Sequence, residues 1–322
     1  MMPPTDPRYA RAIENSRRVE WDIDRDVVRG RDFDYTLPFL PDGLSLADEL
    51  PFLSRADRRT LSQVQGRTYA RMYGLFDRFI GARVLSASRA HWDGDPAALE
   101  ALVRTADEEL KHQELFRRME TAMAATMPAG YAIELAEASD FLRAVSGASP
   151  WAALVLMLDI ELFTQAHYRA SIAPAVEICP LWKDVFLMHW KEEAQHATID
   201  ELELQREDAR LAAAARDAAL DEFLGLVDAL DRLLQARAKA DAAWFETLAT
   251  RHYGAEQQEA VEALVLKAYR WQYLVSGAME PRFQRVFFRL LDGLQASRVR
   301  NALVPFAYAL PLSPAVALPM AA

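Results

Sequence analysis

Apolar and polar positions follow no sustained period over roughly the first 55 residues, where Pro3, Pro4, Pro7, Pro38, Pro41 and Pro51 punctuate the chain. Residues 1–55 read as an irregular lead-in that wraps a core built further along. From about Ala56 the apolar positions recur at helical spacing, and no Val/Ile/Thr-rich alternation marks a strand. Asp95-Pro96 and Ser149-Pro150 each pair a capping side chain with a proline suited to a first helical position. Pro128, Gly130, Gly147, Pro174, Pro180 and Gly254 supply the other breaks. Helices are predicted near 56–91, 96–127, 131–146, 150–172, 180–209, 212–251 and 255–298. Those at 56–91, 96–127, 150–172 and 180–209 are long enough to form a bundle, in two pairs. The expectation is one all-α domain over 56–300, a four-helix bundle with additional C-terminal helices, followed by an apolar, proline-containing tail at 301–322. The tail reads as an extended arm on the body or on a partner subunit, or as disordered.

Composition adds limits. With 322 residues and 52% hydrophobic side chains, the chain can bury a sizeable core. A net charge of −10 and no dense Lys/Arg stripe argue against a nucleic-acid partner. Cys179, the single cysteine, excludes an internal disulfide, a CxxC redox pair and a cysteine-based zinc site, and fits a reducing cytoplasm. The N-terminus has no apolar signal core, and the longest apolar run, 151–158, is too short to span a bilayer, so no membrane association is expected.

Two stretches change the picture: Glu108-Glu109-Leu110-Lys111-His112 and Glu192-Glu193-Ala194-Gln195-His196. At about 100° per residue, Glu109 and His112 share a helix face, as do Glu193 and His196. His189, four residues before Glu193, extends the second stripe. Glu-x-x-His on each of two helices is half of a two-metal carboxylate bundle, which asks for one inward carboxylate from each of the other two helices. Asp77 is the only acid between Arg58 and Trp92 and sits among Tyr73, Phe76 and Ile80, where an unpartnered carboxylate is costly to bury. The apolar stretch LVLMLDIELFTQAHY carries Asp159 and Glu161, about 200° apart, so one of them faces the bundle interior. Glu161 is preferred; the alternatives are Asp159 or a structural role for both. Asp77 has an alternative as a salt-bridge partner of Arg71, Arg78 or Arg83, and His189 as a core histidine or cavity wall. His91 and His167 read as structural.

Imidazole nitrogen and carboxylate oxygen together suit iron, and a carboxylate can bridge two cations. Glu108 and Glu192, which precede the motif glutamates, suit accepting the second N–H of the histidine on the opposite helix.

On these residues, about Asp77 to Asp200, the chain resembles the ferritin-like non-haem di-iron oxygenases. It is most similar to the p-aminobenzoate N-oxygenase type of arylamine oxygenase, which adds a third histidine four residues before its last Glu-x-x-His, as in His189-x-x-x-Glu193-x-x-His196. The resemblance implies a metal ligand set of Asp77, Glu109, His112, Glu161, His189, Glu193 and His196. Glu109 and Glu193 would bridge, His112 and His196 would each bind one ion, Asp77 and Glu161 would be terminal, and His189 would be the extra ligand. It further implies two iron ions (Fe/Fe, with Mn/Fe the other pairing), O2 as co-substrate, and oxygen transfer to a small organic substrate such as an arylamine nitrogen. This chain departs from the family in carrying Asp77 where the family has glutamate. Phe116 stands where ribonucleotide reductase small subunits commonly carry a radical tyrosine, which argues against a conventional tyrosyl radical.

No GxGxxG fingerprint or Fe–S cysteine set is present, so electrons would come from an external reductase or ferredoxin, or from the substrate. The alternatives are a di-iron hydroxylase or desaturase of a carrier-bound acyl chain, and a non-catalytic metal-binding helical bundle. A long apolar tunnel would mark the acyl reading, and a short cavity with polar anchors the amine reading. The C-terminal helices and apolar tail fit a homodimer.

Overall fold

The computed structural model describes residues 6–312. Helices account for nearly all regular structure: α1 (Pro7–Arg18), α2 (Asp42–Ser45), α3 (Arg55–Ser88), α4 (Pro96–Thr126), α5 (Ala136–Gly147), α6 (Pro150–His167), α7 (Pro180–Asp208), α8 (Ala213–Leu248), α9 (Ala255–Arg270), α10 (Ser276–Ala278), α11 (Pro281–Leu290) and α12 (Gly293–Leu303). There is no strand among the described residues. The all-α expectation therefore holds.

Local chemistry sets the starts. Ser54 accepts from the Asp57 amide at the head of α3, Asp95 from the Ala97 and Ala98 amides at α4, and Ser149 from the Ala152 amide at α6. Proline fills the first position of α4, α6 and α7.

Three local expectations need correction. The lead-in is not irregular throughout: Asp6 caps α1, a π-helical turn covers Ile23–Val28, and α1 lies against both α4 and α7. The single helix expected over 255–298 is divided. It passes through a π-helical turn at Trp271–Val275 into α10 and breaks at Pro281, where Glu280 caps the amide of Phe283. It breaks again where Asp292 caps the amides of Leu294 and Gln295. Within the tail, residues 301–303 finish α12 and Val304–Ala309 form a 3-10 helix with Phe306 and Ala309 buried, rather than an extended arm. Residues 313–322 lie outside the described ones.

Four helices frame the interior. α3 runs along α4 and α6 along α7, while α4 also meets α7 and α3 meets α6, so each has two of the others as neighbours. Two glycines on α3 permit the close α3–α4 approach: a Cβ at Gly74 would lie 3.1 Å from Phe116 Cβ, and one at Gly81 3.1 Å from Glu109 Cβ. α6 is buried on every side from Trp151 to His167, as its nearly continuous apolar sequence requires. A carboxylate on α6 therefore has no route to water and must find its partner inside the protein. No helix among the described residues is long and apolar enough to cross a membrane.

Candidate metal centre

Each framing helix delivers one part of a polar cluster into this apolar interior. α3 brings Asp77, α4 brings Glu109 and His112, α6 brings Glu161, and α7 brings His189, Glu193 and His196. All seven are buried, with exposures between 0 and 4%. Their donor atoms form three overlapping groups that could each hold a metal ion: Asp77, His112 and His189; Glu109, His112 and His196; Glu161, Glu193 and His196.

The distances resolve two halves. On one side, His189 Nε2 lies 3.1 Å from Glu193 Oε1 and 3.7 Å from Asp77 Oδ2, and His112 Nδ1 lies 3.4 Å from the same Glu193 oxygen. On the other, His196 Nδ1 lies 3.1 Å from Glu109 Oε1, 3.6 Å from Glu193 Oε2 and 3.9 Å from Glu161 Oε1. Glu109 turns its remaining oxygen, Oε2, toward His112 Nδ1 at 3.8 Å. Glu109 and Glu193 thus each present one oxygen to each half, while Asp77 and Glu161 sit at opposite ends. Asp159 points elsewhere: it is buried beside Gly277, where an added Cβ would fall 2.3 Å from its Oδ1.

Hydrogen bonding fixes which histidine nitrogens face inward. His112 Nε2 lies 2.9 Å from Glu192 Oε2, and His196 Nε2 lies 2.7 Å from Glu108 Oε2. A carboxylate only accepts, so Nε2 carries the hydrogen in both rings, and in the neutral imidazole Nδ1 keeps a lone pair directed at the cluster. The two outer carboxylates are themselves anchored. Lys111 Nζ reaches Glu192 Oε1 at 2.6 Å, and Ser16 Oγ donates to Glu108 Oε1 at 2.6 Å. Trp21 stacks on the His112 ring with centroids 6.2 Å apart, and Lys111 Nζ sits 4.3 Å from the Trp21 ring centre.

A metal pair can be tested against the unsatisfied atoms. Asp77 Oδ2, Glu109 Oε2, His112 Nδ1, both oxygens of Glu161, His189 Nε2, Glu193 Oε1 and His196 Nδ1 are all buried and have no hydrogen-bond partner among the described residues. Native interiors leave few such atoms, and here every one of the seven residues contributes at least one. Four buried carboxylates also require compensating positive charge, which two divalent cations would supply.

The protein alone meets that demand with protons. Burial and the nearby Glu109 charge push Asp77 up to about 6, against the pull of His189. Burial, then the Glu193 charge, raise Glu161 well above the ordinary carboxylate range. Burial opposes ionisation of Glu193 too, but His189 and His196 hold it well below that range. Burial works against charge on His112 and His196, yet the surrounding carboxylates raise both well above an ordinary histidine. The residues present fit a pair of transition-metal ions by donor type, count and charge.

Ser16, Trp21 and Lys111 escaped the sequence reading. The first two lie in the lead-in, where no periodicity marks them, and Lys111 looks like a solvated helix residue until α7 is placed beside it. Asp200, one turn beyond His196, was missed as well. It is buried with an unpartnered Oδ2, and burial raises it well above the ordinary range.

A cavity of about 500 Å³ lies beside the cluster, where α3, α4 and α5 meet. Arg71, Gln113, Glu114 and Glu134 supply polar groups to its wall, alongside Leu142 and Ile133. Gly74 and Phe116 also line it. The Phe116 ring meets His189 edge-on with centroids 5.3 Å apart, so this side chain touches both the cavity and the cluster.

No protein-family model matches the chain, and a search of curated proteins returns no match.

Proposed function

We propose that the chain is an O2-dependent non-haem di-iron oxygenase of the ferritin-like type, acting on a small organic substrate, with N-oxygenation of an arylamine as the leading reaction. The observation that carries this reading is the convergence of unsatisfied donor atoms from seven side chains on four helices into two halves spanned by Glu109 and Glu193. Asp77, His112 and His189 would hold one ion, Glu161 and His196 the other, and Glu109 and Glu193 would bridge. A bound pair of redox-active ions would supply electrons and open coordination positions for O2, which no protein side chain offers unaided.

The remaining work falls to the chain itself. Glu108 and Glu192 lock the tautomer and rotation of His196 and His112, so that Nδ1 of both rings faces the cluster, where each would hold an ion. Lys111 and Ser16 fix those carboxylates in turn. The aromatic rings of Phe116, Phe186 and Tyr73 exclude water from the Asp77 side. Asp77, one methylene shorter than the glutamate of the resembling family, keeps its carboxylate close to α3.

The cavity bears on substrate class. It is compact and carries charged and amide side chains, which favours a small polar molecule over a carrier-bound acyl chain. Electrons would arrive from a separate reductase or ferredoxin. Exposed Leu294, Val304, Tyr308 and Leu312 mark the C-terminal region as the face a homodimer would cover.

The test loads the full chain anaerobically with iron(II), measures bound iron, and follows O2 consumption with and without an arylamine. About two iron ions per chain, with O2 uptake matched by oxidised amine, supports the proposal. Bound iron with no O2 uptake would leave a metal-binding bundle and remove the oxygenase.

A further inference from the structure

The residue four positions after His112 is Phe116, which is not readily oxidised. On the neighbouring helix α3, however, Tyr73 meets the Phe116 ring edge-on at 5.8 Å, and its ring centre lies 5.1 Å from that of His189. Tyr73 is 2% exposed. Its hydroxyl begins a buried chain that leads away from the metal centre: Tyr69 Oη at 2.6 Å, His167 Nδ1 2.8 Å beyond, and Ser276 Oγ 2.8 Å from His167 Nε2.

Hydrogen-bond accounting gives this chain one direction. Ser276 Oγ lies 2.9 Å from the carbonyl oxygen of Gln272, which can only accept, so the single Ser276 hydrogen is committed there. Ser276 must then accept from His167 Nε2–H. Among the described residues no carboxylate hydrogen-bonds His167, and burial lowers it to about 3, so the ring is neutral with one N–H and a bare Nδ1. That nitrogen accepts the Tyr69 hydroxyl proton, and the Tyr69 oxygen accepts the proton of Tyr73.

A phenol in an apolar interior loses an electron readily only if its proton has a base to go to, because the phenol radical cation is a strong acid. Tyr73 combines contact with a proposed metal ligand with a prepared proton exit on the opposite side. We propose that Tyr73 is a redox-active tyrosine, oxidised by one electron at the metal centre, with Tyr69 and His167 as its proton relay. This rests on the di-iron reading above. The oxidant is the metal pair after reaction with O2. The electron passes to an oxidised metal ion, which falls by one oxidation state. The Tyr73 O–H bond breaks, Tyr69 takes that proton and gives its own to His167 Nδ1, and the products are the Tyr73 neutral radical, intact Tyr69 and the His167 imidazolium. No atom is lost. The relay gives the site a place to hold one oxidising equivalent when no substrate is present.

The experiment uses the full chain loaded with iron(II), its metal content measured, then mixed with O2 without substrate and frozen at intervals for EPR. The expected result is a tyrosyl signal whose hyperfine structure collapses in protein made with ring-deuterated tyrosine. The signal is lost in Tyr73→Phe at unchanged iron content and falls in yield in Tyr69→Phe and His167→Gln. A merely structural role for these residues would leave the spectrum unmoved. Should Tyr73→Phe fail to fold, microwave-power saturation of the unsubstituted protein decides: a radical beside the metal relaxes fast, and one elsewhere slowly. Iron-loaded protein that consumes O2 without a tyrosyl signal, or a slowly relaxing signal, or the same signal in Tyr73→Phe, overturns the relay and leaves the di-iron reading intact. A chain that holds no iron overturns both.

Discussion

The Nε2–H of His112, carried by α4, donates to Glu192 on α7 across 2.9 Å. The bond turns the other ring nitrogen toward the cluster, and Lys111 keeps Glu192 in place for it. Glu192→Ala should therefore weaken metal binding about 10–100-fold while leaving all seven inward donors present. Glu192→Gln, whose amide oxygen still accepts, should recover part of that loss. Competition against a chelator measures both, and equal affinity in all three proteins would remove the positioning role.

Gly81 lets α4 close on α3 beside the cluster. An added Cβ would stand 3.1 Å from Glu109 Cβ, and larger side chains have no room. Gly81→Val should cost about 1–3 kcal/mol through overpacking and lower the bound-metal stoichiometry by displacing Glu109. Thermal unfolding and metal analysis on the same sample check this. A stable variant with full metal content would show that the helix approach does not matter to the site.

Much of this centre was legible from local pattern. Glu109 with His112, and His189 with Glu193 and His196, share faces by spacing alone. Asp77 and Glu161 stood out as carboxylates among apolar neighbours, and the structure brings all seven to one place. What spacing could not show was tertiary. Ser16 reaches Glu108 across 92 residues of sequence, and Asp159 turns aside because Gly277 on a distant helix makes room for it. The Tyr69–Tyr73 pair carries no mark in the sequence, because its acceptor, His167, lies on α6. The breaks at Pro281 and Asp292 were local signals, overridden by the strong helical period on either side.

Metal loading should raise stability markedly, because the folded cluster gathers four carboxylates that the unfolded chain keeps apart. At a free metal concentration of about 1,000 times Kd, the gain is about 4 kcal/mol and should appear as a higher Tm. Glu161→Ala should shrink this gain, since it removes two of the unsatisfied oxygens. A Tm indifferent to iron(II) and manganese(II) in the unsubstituted protein would contradict metal binding at this site.

Acid should loosen the join between α1, the turn that follows α3, and α7. Fully buried Glu203 accepts from Tyr9 Oη at 2.6 Å, His91 Nε2 at 2.8 Å and Arg206 Nε at 2.8 Å. Burial would raise this carboxyl, but its hydrogen bonds and the Arg206 charge hold it below its ordinary 4.5. A group depressed on folding stabilises above its unfolded value and loses that contribution as pH falls through the folded one. Glu203→Gln should therefore cost about 2–3 kcal/mol near neutrality. The gap to the unsubstituted protein should narrow only below pH 4.5. Denaturant unfolding at several pH values measures it, and a gap independent of pH in the acid range would refute the assignment.

The most direct measurement is a crystal structure of iron-loaded protein with anomalous data collected at the iron and manganese edges. The predicted result is two anomalous peaks in the interior framed by α3, α4, α6 and α7, one beside Asp77, His112 and His189, the other beside Glu161 and His196, with Glu109 and Glu193 between them. A single peak, peaks elsewhere, or these carboxylates turned away from bound metal would contradict the account.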